Sequence, residues 1–142
     1  MPITTLQPTT SHKRLRLFAA IAAVLAILQT VVAVTMMATD NETVVMLHEG
    51  VGFLYAAAAV VTAVPAVIWG RLSHNTGLIG HAVGMAVAGV VQLLLGLLFA
   101  PEEGQPNGPM IYVHMVLGLL ILVGSIALGV FVRIALLGLD FG

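Results

Sequence analysis

The sequence predicts an all-α integral membrane protein, a four-helix up-down bundle. Three observations predict it. The 142-residue chain is 60% hydrophobic and only 8% charged, and its mean hydropathy is +1.11. It contains four apolar stretches, each long enough to cross a bilayer, which takes about 20 residues at about 1.5 Å rise per residue. The segments between them are short and rich in Gly, Pro, Asn and Asp, the residues that end helices.

The elements follow in order. Residues 1–13 (MPITTLQPTTSHK) are polar and read as a loose N-terminal segment. Span one is expected at about Leu15–Ala38. Nothing resembling a cleavage site follows it, so it reads as a span and not as a leader. TDNE leads into span two, about Val44–Trp69, where Pro65 removes one backbone donor and frees a carbonyl for other partners. GRLSHNTG leads into span three, about Leu78–Ala100. PEEGQPNGP leads into span four, about Met110–Leu137. The four spans form one unit over residues 14–139.

Charge sets the expected orientation. Lys13, Arg14, Arg16, Arg71 and Arg133 all fall at one end of an up-down bundle. Asp40, Glu42, Glu49, Glu102 and Glu103 fall at the other, with Asp140 the exception. The positive-inside rule then places both termini in the cytoplasm, in a cytoplasmic or inner membrane. The formal net charge of −1 gives no basis for nucleic-acid binding, and the absence of cysteine removes disulfides and thiolate ligands. No phosphate loop or Ser-His-Asp arrangement occurs. His48-Glu49-Gly50 lacks the second histidine of a zinc-protease motif. No acidic residue lies deep in a span, which argues against ion-coupled transport.

Two histidines stand out against this background. His48 and His114 each lie about one turn inside spans two and four, which run parallel in an up-down bundle and so hold both at one depth. Ionisable groups inside spans mark functional sites by default, and haem in helix bundles is commonly held by histidines on facing helices. Gly52 and Gly118 follow four residues later, on the same helix faces. Gly96 in span three lies at a similar depth. Glycines there would make room for a flat porphyrin. Gln92, deep in VVQLLLGLL, is placed to bond a cofactor edge, a quinone carbonyl or a neighbouring helix. Tyr55, one turn beyond Gly52, is placed to contact a ring. The expected cofactor is a b-type haem near the outer face with His48 and His114 as axial ligands, serving one-electron transfer or haem handling.

A weaker second site is expected at the opposite end, from His81 with His12 or His74. His48, His81 and His114 recur at intervals of 33 residues, a rhythm that equal spans produce without duplication. Met36, Met37, Met46, Met110 and Met115 gather at the end bearing His48 and are further possible axial ligands. They serve equally as packing filler. Trp69 and Tyr112 sit where interfacial aromatics belong.

The order VVMLHEGVGFLYA, VVQLLLGLL, YVHMVLGLLIL resembles one four-helix half of heme A synthase, over about residues 15–135. The resemblance implies His48 and His114 as the axial pair, with Gln92 and Gly96 standing for the Gln/Gly stretch of the third helix. It also implies a possible oxidoreductase activity toward haem. The chain differs from the family pattern at Val45, where the family carries glutamate, and at Glu49, where it carries arginine. The outer-loop cysteine pair is absent. These differences bear on the oxidising chemistry more than on haem holding. Partners expected beyond the lipid bilayer and haem are a quinone or a respiratory-chain redox protein. The alternative is a cofactor-free accessory subunit, packed through Gly/Ala faces in a homo- or hetero-oligomeric respiratory or transport complex.

Overall fold

The computed structural model describes residues 10–39, 41–99 and 108–134. Four α-helices account for almost all of them: α1 (Thr10–Ala38), α2 (Glu42–Leu72), α3 (Thr76–Leu98) and α4 (Pro109–Ile134). All four are long and apolar enough to cross a membrane. The chain is an all-α bundle of membrane-spanning length, with no strand among the described residues. Residues 1–9, Asp40, Glu102, Glu103, Asp140 and the expected last residues of spans three and four lie outside the described residues.

Local chemistry sets the helix ends. Asn41 caps α2, its side chain accepting from the Thr43 amide at 2.9 Å. Asn75 caps α3, accepting from the Leu78 amide at 2.8 Å. α2 runs unbroken through Pro65, which is buried. Three residues, Ser73–Asn75, turn α2 into α3. His74 takes the left-handed conformation there, with φ 53°. The Asn75 amide donates to the Gly70 carbonyl at 2.8 Å, so the turn folds back onto Gly70. A Cβ on Gly70 would lie 2.5 Å from Ile79 Cγ1 and 3.0 Å from the Asn75 carbonyl oxygen. Gly70→Ala is therefore expected to destabilise the bundle by about 1–3 kcal/mol, the usual range for overpacking. Thermal unfolding in detergent checks this, and an unchanged midpoint would count against the tight turn.

Each helix packs against two neighbours, in the cyclic order α1, α2, α3, α4, and the diagonal pairs do not pack backbone to backbone. Small residues make the close approaches. Ala19, Ala22 and Ala26 on α1, Ala56, Ala59 and Ala66 on α2, and Ala82 and Ala86 on α3 are all buried. Without a hydrophobic drive between helices in lipid, such small residues let backbones meet. Large apolar side chains such as Leu17, Val24, Leu54, Val87 and Leu120 point outward, as lipid contact demands. Buried Thr62 satisfies its hydroxyl on the Ala58 carbonyl of its own helix, at 2.6 Å.

One end of the bundle carries Lys13, Arg14, Arg16, Arg71 and Arg133; the other carries Glu42 and Glu49. Near the basic end, Leu15, Ala19, Ala66, Trp69, Leu78, Ala82, Leu128 and Val132 form a continuous core. α1 begins at Thr10, earlier than the expected loose segment allows. His12 is thus a core residue, 1% exposed and stacked on Trp69 with ring centroids 4.4 Å apart. The reason lies in helical spacing: His12, Leu15, Ala19, Ala22 and Ala26 fall on one face. Trp69 is likewise a core aromatic and not an interfacial anchor, whereas Tyr112 is 62% exposed.

Candidate functional site

The acidic end of the bundle is different in kind. One polar side chain enters from each helix: Gln29 from α1, His48 from α2, Gln92 from α3 and His114 from α4. The two histidines occupy one diagonal and the two glutamines the other. Each of the four is half-buried.

His48 and His114 meet across the bundle axis. Their ring centroids are 6.2 Å apart, and the rings are inclined by 63° rather than stacked. Their equal depth follows from the topology, since α2 and α4 run parallel and each histidine sits in the second turn of its helix.

Three of the expected glycines border this site, and the structure shows what each leaves room for. A Cβ on Gly96 would lie 3.1 Å from His114 Cε1. One on Gly52 would lie 3.3 Å from Gln29 Nε2, and one on Gly118 would lie 3.1 Å from Gln92 Nε2. The glycines therefore seat the polar side chains themselves. Gln29 Nε2 lies 3.1 Å from His48 Nδ1 and 3.2 Å from His48 Nε2, beside the ring edge between the two nitrogens. Gln29 Oε1, Gln92 Oε1 and His114 Nδ1 are buried with no hydrogen-bond partner among the described residues. Buried polar atoms without partners are costly, and all three belong to this set of four side chains.

Tyr55 lies deeper than the histidines and forms part of the core. It is 4% exposed, and its ring packs against Gly89. Tyr55 Oη and Ser125 Oγ are hydrogen-bonded at 2.9 Å, joining diagonal helices α2 and α4 below the histidine pair. Interhelical bonds of this kind in membranes average about 0.6 kcal/mol and reach about 1.7. A double-mutant cycle on Tyr55→Phe and Ser125→Ala is expected to give a coupling in that range. Strictly additive effects would show that the bond contributes nothing.

At the basic end the histidines have other partners. His81 Nε2 donates to the Gly124 carbonyl at 2.9 Å. His12 stacks on Trp69 inside the packed core, and His74 lies in the α2–α3 turn. Among the described residues, nothing there parallels the facing pair of His48 and His114. Met37, Met46 and Met115 point outward and are exposed, as is Glu49.

The donor set limits the chemistry. Among the described residues, no group of three or more His, Cys, Asp or Glu side chains could hold a metal ion. Two imidazoles are too few for a structural zinc site. They suffice for haem, whose macrocycle brings its own equatorial nitrogens. In kind and number, the facing imidazole pair is the donor set that a bis-histidine haem takes.

Comparison with known protein families, characterised proteins and solved structures returns no match. The functional reading therefore stands on the four polar side chains and their geometry.

Sequence reasoning found three of these four and missed Gln29. A signal for it was present. Gln29, His48 and Gly52 in the first hairpin repeat as Gln92, His114 and Gly118 in the second, with the same four-residue step from histidine to glycine.

Proposed function

We propose that this chain is a membrane haem protein with His48 and His114 as axial ligands, carrying single electrons. The observation that supports it is the diagonal histidine pair, 6.2 Å between ring centroids, at one depth in a bundle otherwise built of apolar residues. When bound, a b-type haem supplies a one-electron iron couple. The chain's own residues do the rest. His48 and His114 would hold the iron from diagonally opposite helices. Gly52, Gly96 and Gly118 seat Gln29, His114 and Gln92 close against the neighbouring helices. The Tyr55–Ser125 bond closes the site toward the membrane interior. Val45 stands where the heme A synthase pattern carries glutamate, so electron transfer is preferred here to modification of the haem.

The test is a reduced-minus-oxidised visible spectrum of the purified protein after expression with added haem. Sharp low-spin bands at one haem per chain are the expected result. A colourless protein would overturn the proposal and favour the accessory-subunit alternative.

The charge distribution supports a membrane orientation with both termini in the cytoplasm and the histidine pair near the outer face. A C-terminal green fluorescent protein fusion should then fluoresce in cells. A dark but expressed fusion, paired with an active C-terminal alkaline phosphatase fusion, would reverse the orientation. The electron partner fitting this placement is a quinone or a respiratory redox protein reaching the outer end.

A further inference from the structure

At the basic end, cations from the first and last helices line one cleft. Lys13, Arg16 and Leu17 of α1 and Arg133 of α4 border a space of about 270 Å³. Lys13, Arg16 and Leu17 fall on one face of α1 by helical spacing. Arg133 comes from the last turn of α4. The two helices pack closely one turn below it. A Cβ on Gly129 would lie 3.9 Å from Ala23 Cβ and 4.0 Å from the Ala19 carbonyl oxygen. That approach brings Arg133 to the cations of α1.

The three charges are left uncompensated by the bundle. Glu42 and Glu49, the acids among the described residues, lie at the opposite end. Like charges around one cleft repel each other, and their fields add there. An anion in the cleft relieves that repulsion. Guanidinium forks match the oxygens of a phosphate, and a lysine ammonium adds a point charge.

The surface below the cleft distinguishes a lipid phosphate from a free one. Leu17 lines the cleft and is 58% exposed. Ile21 and Val24 continue along the Lys13 face of α1, and Val130 and Ile126 along the Arg133 face of α4, all exposed. A free ion meets the cations alone. A phospholipid meets both, with its headgroup on the cations and its acyl chains along the apolar faces. Basic pockets between spans recognise anionic headgroups in this way. Arg14 and Arg71 give the contrast: they stand exposed at the same end, yet neither lines the cleft.

We propose that the cleft between α1 and α4 binds the phosphate of one anionic phospholipid through Lys13, Arg16 and Arg133. The site lies at the opposite end from the histidine pair, and its occupation does not depend on haem.

Native mass spectrometry tests this, on protein purified in a neutral detergent with phosphatidylglycerol or phosphatidylcholine added. One phosphatidylglycerol per chain should be retained, more tightly than phosphatidylcholine. Arg16→Gln with Arg133→Gln should weaken it about fivefold per charge, and so about 25-fold for the pair. Arg14→Gln with Arg71→Gln removes the same net charge and should leave it nearly unchanged. Circular dichroism checks that the variants fold. Lys13→Gln alone is the second variant, with an expected loss of about fivefold. Equal losses from the two double variants would reduce the effect to diffuse charge and overturn the proposal. Full retention by Lys13→Gln, or no preference for phosphatidylglycerol over phosphatidylcholine, would overturn it as well. Inorganic phosphate that displaces the lipid at like concentration would assign the cleft to a free anion and overturn the lipid.

Discussion

His48→Ala and His114→Ala are each expected to abolish the low-spin haem spectrum while leaving the bundle folded. In the proposed site the two histidines act as a unit, because six-coordinate low-spin iron needs both axial nitrogens. Losing one should leave either no haem or a high-spin species with an open position. Folding should survive because neither ring is part of the packed clusters, which lie nearer the middle and the basic end. His81→Ala is the control. His81 lies at the basic end and donates to the Gly124 carbonyl, so its loss should leave the spectrum intact. Absorption, circular dichroism and haem stoichiometry on the three variants check this. A low-spin spectrum surviving either His48→Ala or His114→Ala would remove that residue from the ligand set.

Gly96→Leu is expected to eliminate haem binding with both histidines retained in the sequence. A Cβ on Gly96 would already lie 3.1 Å from His114 Cε1. Alanine there asks the ring to give by a few tenths of an ångström. The branched leucine side chain asks for far more, and close-packed interiors do not yield that much without strain. The His114 ring should then leave its position opposite His48. A graded loss, partial for alanine and complete for leucine, would mark space beside the ring as the cause. Gly84 supplies the comparison on the same helix. It is exposed, and nothing lies within 4 Å of a Cβ built there. Gly84→Leu should keep full haem binding and, by removing an intrahelical glycine, stabilise α3 slightly. Haem titrations on the three variants decide the matter. Equal affinity for Gly96→Leu and wild type would show that the His114 ring position does not matter to binding.

The sequence by itself determined the membrane class, the number of spans and their alternation. Composition and stretch length do this because a bilayer tolerates only segments whose backbone polar groups are satisfied internally. It also placed His48 and His114 at one depth, since alternation makes α2 and α4 parallel. The segregation of Lys13, Arg14, Arg16, Arg71 and Arg133 from Glu42 and Glu49 was equally legible.

Only the tertiary structure decided which side chains meet. Helical periodicity gives the face a residue lies on but not the neighbour that face is turned toward. In a chain this apolar, nearly every face can meet either lipid or protein. For that reason Gln29 passed unnoticed in a uniformly hydrophobic helix, although it touches His48. His12 looked like part of a solvated segment until Trp69 was found stacked on it. Gly52 and Gly118 read as clearings, and packing showed the glutamine amides seated there. The diagonal placement of the histidines, with the glutamines on the other diagonal, follows from the cyclic packing order of the helices. That order is set by contacts between residues distant in the chain, which no local pattern encodes.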